Sequence, residues 1–537
     1  MLSIHVADLA VPSLLFGLAL TSAFYVVRFI LATLRPSNFP PGPRIIPGLG
    51  NLHQLPTEKA FLGFESMSKQ YGPILGLKVG PRNLVVLHRA DLVHELLQKR
   101  GAHYLGRPQM AILSDYVMPG SGDKWVPFFS VDFLPFFRRA VRHHLGPVGL
   151  TEVAPVMRAM AGRLLHRLLD PDTDFMQSFH LWTLESSLSV VCGRRAEDMG
   201  ANWAEEYHDT AESLLDTVDM GVVALLDLFP ALKLVPEAFA GWKREAVRIG
   251  ERIRETYNAM LAHGKKGLAQ GIQGRGYEPL IQKLLREEAG HDDKSQRQSL
   301  SENDITMIGG GILDAATDTT LATALFLIQA LATSPEHQHR AQAEIDGAWG
   351  SESIPEHIDL SKLPFLTACV TEVIRWRPTT PVAVPRLCAS DEVVSGHRIP
   401  AGSTVMINVW AIQHDPDEFD PDRYMRNPLG TKHDDTERDA DWRKPLYAFG
   451  AGRRACPGEQ FAMSVLVRTF ALLLRIYDIM PIGDLDLSVE TGVHATASVR
   501  PKPFKVNFVS RSEKVKQYAL EEFERANRTL EELLPKA

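Results

Sequence analysis

Apolar residues along this chain recur mostly at helical spacing. The run from Met157 to Leu169, the long segment Glu302 to Thr333 and the stretch Lys362 to Trp376 predict helices on a period of 3.6. Short apolar stretches bounded by turn residues predict strands: "LGLKVG" (Leu75 to Gly80), "LVVLH" (Leu84 to His88) and "TVMINVW" (Thr404 to Trp410). From about residue 55 to 510 no composition shift, repeat or low-complexity tract marks a boundary. The expected fold class is mainly α with small β-sheets, as one large domain over 55–510.

The pattern changes at both ends. Leu9 to Val27, "LAVPSLLFGLALTSAFYVV", is uncharged and mostly apolar, and apolar positions continue past Arg28 to Leu34. Nineteen helical residues rise roughly 28 Å, enough to cross a hydrocarbon core. A cleaved signal peptide needs a basic leading region, and here His5 and Asp8 lead while Arg28 and Arg35 follow. A retained transmembrane anchor over 9–34 is therefore expected, with residues 1–8 lumenal and the bulk of the chain cytosolic by its flanking arginines. The Pro/Gly-rich segment 35–54 cannot continue a helix and predicts a stiff hinge. Beyond Arg511 the charged stretch 511–537 predicts an amphipathic surface helix. Its "NRT" (Asn527 to Thr529) fits a glycosylation acceptor, but on the cytosolic side it would go unused. "KHDDTERDADWRK" (Lys432 to Lys444) predicts a solvated loop.

Composition narrows the function. A net charge of −7 argues against a general nucleic-acid binder, whose footprint would be basic. Four cysteines, Cys192, Cys369, Cys388 and Cys456, stand too far apart for a C-x-x-C pair, so a disulfide scaffold or zinc ribbon is not expected. If one of them carries chemistry, it acts alone.

Cys456 lies in "FGAGRRACPGEQFA" (Phe449 to Ala462), just before a helix-like apolar run. A thiolate is a strong soft metal ligand, and as a haem axial ligand it pushes electron density toward iron. Gly450, Gly452 and Gly458 allow the tight loop such a sulfur needs. Arg454 could reach an anionic propionate, and Phe449 could pack on a porphyrin plane. Phe449, Gly452, Arg454, Cys456 and Gly458 match F-x-x-G-x-R-x-C-x-G at every fixed position. This resembles the haem-binding loop of the cytochrome P450 family. The resemblance implies that Cys456 is the proximal ligand of haem b iron.

Other segments carry the same resemblance. Glu372 and Arg375 in "TEVIRWRP" stand at i, i+3, and the family's E-x-x-R pair is a buried structural lock completed by a downstream arginine. "FDPDRY" (Phe419 to Tyr424) resembles the segment that supplies it, which implies Arg423. In "VAVPRLC", Arg386 stands where the family has a second propionate-binding arginine. "AATDTT" (Ala315 to Thr320) resembles A-G-x-D-T-T, with Ala316 in place of glycine, which predicts a slightly tighter oxygen groove. Oxygen activation needs protons delivered in a dry pocket, and Asp318 beside Thr319 would relay them. A register using Asp314 fails because Ala315 follows it. One departure stands out. The family's W-x-x-x-R helix falls on "KWVPFFSVDFLPFFRRAVRHHLGP" (Lys124 to Pro147), which has no Trp at that spacing. Phe137 would replace the aromatic, and either Arg138 or Arg142 the cation. The five phenylalanines from Phe128 to Phe137 fit a substrate pocket, a membrane contact or core packing equally.

The resemblance, closest to fungal microsomal members including those of secondary metabolism, spans the anchor to about residue 510. It implies an endoplasmic reticulum monooxygenase that inserts one atom of O2 into an apolar organic substrate. Electrons would come from NADPH through a flavoprotein reductase, docking near Arg139, Arg443, Lys444 and Arg453. The nearest alternative is a haem-thiolate isomerase or dehydratase needing neither O2 nor reductase, against which the Asp318–Thr319 pair weighs. A non-catalytic haem sensor is disfavoured because no signalling domain is visible.

Overall fold

The computed structural model describes residues 6–120, 125, 131–217, 226–269, 277–289, 300–350, 354–414, 417–430 and 442–534, with side chains from residue 15 onward. Helix α1 (Val6–Ala32) leads. Its stretch Leu15–Ala32 has a mean hydropathy of 1.9, and none of it is buried in the protein. An apolar helix of that length with uncovered side chains suits a hydrocarbon environment, as a membrane anchor requires. The hinge that follows is tied to the body of the protein: Arg35 donates to the carbonyls of Pro40 at 2.8 Å and Gly76 at 2.7 Å.

The helices that shape the interior are α2 (Leu134–His144), α3 (Pro147–Arg167), α4 (Phe175–Cys192), α5 (Trp203–Thr217) and α6 (Gly241–Ala269). Of these, α4 and α6 pack against α7 (Glu302–Thr333), whose bounds are those of the predicted segment. Local sequence sets both ends of α7. Ser301 caps the first turn, accepting from the Asp304 N–H at 3.2 Å, while Asp304 accepts from the Ser301 N–H at 2.9 Å. At the other end Pro335 excludes helical geometry from Ser334. α7 is apolar enough to span a membrane, but 72% of it is buried inside the protein, so it is a core helix.

α8 (Pro364–Trp376) and α9 (Glu459–Ile476) pack behind α7. A four-stranded sheet runs in spatial order Ile74–Val79, Arg82–Leu87, Thr404–Ile407, Arg386–Leu387. Its third member is shorter than the predicted strand, because Asn408 turns the chain into a helix by accepting from the Ala411 N–H at 3.2 Å.

The charged C-terminal segment forms α10 (Glu513–Leu533), which packs along α3. Tyr518, Ala519, Ala526 and Leu530 are buried in the main core. Arg158 of α3 grips Glu522 through two bonds of 2.6 and 2.7 Å. The helix is thus amphipathic as its sequence predicts, with its apolar face turned into the core.

Candidate active site

The Cys456 loop is built by backbone geometry. The Cys456 N–H donates to the Phe449 carbonyl at 2.7 Å, and the Ala455 N–H donates to Gly452 at 3.0 Å. Gly452 has φ +63°, and a Cβ there would lie 1.7 Å from the Leu97 carbonyl, so only glycine fits. Gly458 then opens α9, which brings Cys456 to a helix N-terminus, where N–H groups and the helix dipole favour a thiolate. The pull is visible in the thiol itself: burial pushes its pKa up, while the Gly458 N–H, Lys444 and Arg138 work in the opposite direction. Cys456 is the exposed cysteine of the four, and its exposed surface faces a cavity.

That cavity has a volume of about 590 Å³, within the range of small-molecule sites. Phe449, Arg454 and Gly458 line it beside Cys456, and Ala315, Ala316, Asp318 and Thr319 of α7 line it as well. Thr319 Oγ1 donates to the Ala315 carbonyl at 2.7 Å. Asp318 is pushed up to about 6, first by burial and then by the nearby Asp314 charge; Arg500 partly offsets this. The structure therefore brings together the cysteine loop and the Asp318–Thr319 pair on one cavity.

Five arginines line the same space, and four of them, Arg107, Arg138, Arg386 and Arg454, act on one another. Each of the four holds a backbone carbonyl: Arg107 that of Pro385 at 2.6 Å, Arg138 that of Ala455 at 2.7 Å, Arg386 that of Ala451 at 3.1 Å and Arg454 that of Leu105 at 2.8 Å. Burial, Arg454 and Arg138 lower the pKa of Arg386 to about 9, and its buried Nε has no hydrogen-bond partner. Burial, Arg386 and Arg454 likewise lower Arg107 well below its ordinary value. Guanidiniums that repel one another in a buried site call for an anion. A haem with its two propionates would supply that anion, so the residues fit the group.

Arg138 lines the cavity, whereas Arg142, one turn further along α2, is exposed and does not. Phe137 is buried and also lines the cavity. Phe128 and Phe129 lie outside the described residues, as does most of the charged loop 432–444. Of the predicted docking residues, Arg139 and Arg453 are exposed, while Arg443 and Lys444 are half-buried.

Behind the loop, Glu372 is fully buried and accepts from Arg375 Nε and Nη2, both at 2.7 Å. The Asp420 N–H donates to the same carboxylate at 2.9 Å, and Arg423 Nε stands 3.6 Å from it. Arg375 also donates to the carbonyls of Gln413 and Glu418. This cluster joins α8 to the segment leading toward Cys456 and does not touch the cavity.

Two features escaped the sequence. Arg107 follows Gly106, whose carbonyl accepts from the Leu387 N–H, and that pairing sets it beside Arg386, 279 residues later in the chain. Asp314, set aside for lack of a following threonine, faces the cavity with Tyr207 and Tyr257.

Comparison with known proteins agrees with this geometry. The cytochrome P450 family model matches residues 40–508. Cytochrome P450 monooxygenase grgG of Penicillium sp is 33% identical over 93% of this chain and 92% of its own length. Cytochrome P450 monooxygenase fogE of Aspergillus ruber is 29% identical over 90% of this chain and 89% of its own. A zebrafish cytochrome P450 structure with progesterone superposes with a TM-score of 0.68 at 24% identity, covering 84% of this chain and 99% of that one. The mainly helical fold, the haem-thiolate loop and the monooxygenase relatives lead to one conclusion: this chain belongs to the cytochrome P450 family and is an oxidoreductase of the monooxygenase type.

Proposed function

We propose that this protein hydroxylates or otherwise oxygenates a largely apolar skeleton in fungal secondary metabolism, using haem b held by Cys456 and electrons from NADPH-cytochrome P450 reductase at the endoplasmic reticulum. The observation that carries the reading is the shared cavity, with Cys456, the cluster of Arg107, Arg138, Arg386 and Arg454, and Asp318 and Thr319 of α7 in its wall. The haem supplies binding and reductive activation of dioxygen, so that one oxygen atom enters the substrate and the other leaves as water.

The chain's own residues do the rest. Arg107, Arg138, Arg386 and Arg454 would hold and orient the cofactor through its carboxylates, while Phe449 would pack against it. Glu372, Arg375 and Arg423 keep the loop frame rigid. Asp318, with a pKa of about 6, exchanges a proton readily near neutral pH. It would return a proton to Thr319 Oγ1 as that hydroxyl, turned from the Ala315 carbonyl toward the cavity, gives up its own. Apolar walls exclude bulk water and so limit unproductive proton entry.

Thr319→Ala tests the relay. The variant keeps its haem and still consumes NADPH with reductase, but diverts reducing equivalents to hydrogen peroxide. Coupling equal to that of the unaltered protein would remove Thr319 from the relay. Turnover that proceeds without NADPH and reductase would overturn the monooxygenase assignment for the physiological reaction.

A further inference from the structure

The cavity is lined mainly by apolar groups, yet besides the arginines and the Asp318–Thr319 pair a further polar cluster is built into its wall. Asp314 on α7 accepts from Tyr207 Oη of α5 at 3.0 Å on one carboxylate oxygen and from Tyr257 Oη of α6 on the other. The Trp125 indole N–H in turn donates to Tyr257 Oη at 2.9 Å. Three helices and a connecting segment thus converge on one carboxylate.

The packing of α7 accommodates this cluster. Gly310 lies one turn before Asp314, and a Cβ there would meet the Tyr257 ring at 2.2 Å. Glycine inside a helix costs about 1 kcal/mol relative to alanine. Here it lets the Tyr257 ring lie against α7 with its hydroxyl reaching the carboxylate.

A tie that served the fold alone would hide the carboxylate. Asp314 instead is partly buried and lines the cavity. A carboxylate has roughly four lone-pair sites; the two tyrosine hydroxyls fill two of them and the Trp125 indole N–H also donates to the carboxylate, which leaves acceptor capacity for one further donor. Both hydroxyl protons point at Asp314, so the cluster offers the cavity acceptors and no donor. Ile312, Ile253 and Leu214 line the cavity with apolar groups, while Thr210, Thr256 and Arg252 are further polar lining residues.

We propose that Asp314, oriented by Tyr207 and Tyr257, recognises a hydrogen-bond donor on the substrate, so that the substrate class is an apolar skeleton bearing a hydroxyl or ammonium group. The inference rests on the haem-thiolate reading of the same cavity and deepens it. Asp314 precedes Asp318 by one helical turn, a rise of about 6 Å. The donor group is therefore anchored one turn along α7 from the proton relay, and the carbon to be oxidised is held beside that relay.

The test uses full-length haem-loaded protein in detergent and pairs of probes that differ only in donor capacity: adamantanol with adamantanone, and decalol with decalone. Binding is followed by perturbation of the Soret band. A bond to a charged acceptor predicts that each alcohol binds at least about tenfold tighter than its ketone. Asp314→Asn, whose amide serves as both donor and acceptor, erases the preference. Asp314→Leu, close in volume, erases or inverts it, because the Tyr207 and Tyr257 hydroxyls then become donors to the cavity. Equal affinities in the unaltered protein, or a preference that survives both substitutions, would overturn the proposal. Each sample is also reduced and exposed to carbon monoxide. Loss of the thiolate-type spectrum in the unaltered protein would count against the haem-thiolate reading, which is a separate failure.

Discussion

Glu372→Ala removes the centre of the lock behind the cysteine loop, and the structure sets the size of the effect. The carboxylate is fully buried and satisfies two Arg375 bonds at 2.7 Å and the Asp420 N–H at 2.9 Å. Removing one partner of a buried ion pair leaves the other charge without compensation, which costs about 3–5 kcal/mol. Against a total stability of roughly 5–15 kcal/mol, that is a large fraction. Arg423 stands further away, at 3.6 Å, and its Nε forms no hydrogen bond, so its loss is milder. The expected order of destabilisation is Glu372→Ala and Arg375→Ala well above Arg423→Ala. Guanidinium titration followed by tryptophan fluorescence gives the midpoints, and the haem content of purified protein gives the functional consequence. Glu372→Ala protein should carry little haem. A loss under about 1 kcal/mol, with normal haem content, would refute the claim that this buried pair holds the loop frame.

Two further predictions concern charge in the cavity. Arg138→Leu lowers haem occupancy while Arg142→Leu leaves it unchanged, as measured by the haem-to-protein absorbance ratio, because only Arg138 lines the cavity; the reverse result would move the propionate contact one turn along α2. Asp318 has its pKa raised in the folded state from 3.8 to about 6, so the native protein binds its proton more tightly than the unfolded chain does. Its stabilising share is present below about pH 4 and is lost as pH rises through 6, a change on the order of 3 kcal/mol. Asp318→Asn therefore raises the thermal midpoint at pH 8 relative to the unaltered protein, narrows that advantage toward pH 5, and lowers turnover. An Asn variant less stable than the parent at pH 8 would contradict the assigned cause.

The parts of the site that were legible in the sequence are those whose chemistry fixes spacing along one short segment. The cysteine loop requires glycine at a position such as Gly452, where backbone approaches backbone. The Glu372–Arg375 pair requires one helix face, and α7 is bounded by a Ser301–Asp304 cap and a proline, all readable locally. The parts that were not legible depend on which elements meet. Arg107 reaches the cavity only because Gly106 pairs with Leu387. Arg138 and Arg142 share a helix, and their spacing alone cannot say which of them the cavity includes. Tyr207 and Tyr257 come from separate helices, and nothing in their sequence context links them to Asp314. The Gly310 that admits the Tyr257 ring was visible only as part of "GGG" in a helical run.

The central claim is that Cys456, as a thiolate, holds the haem. The most direct measurement is the carbon monoxide difference spectrum of the reduced protein in membranes, compared with Cys456→Ala. The account predicts the strongly red-shifted Soret band of thiolate ligation in the unaltered protein and its complete absence in the variant. The same band in Cys456→Ala, or no haem signal from well-folded unaltered protein, would contradict it.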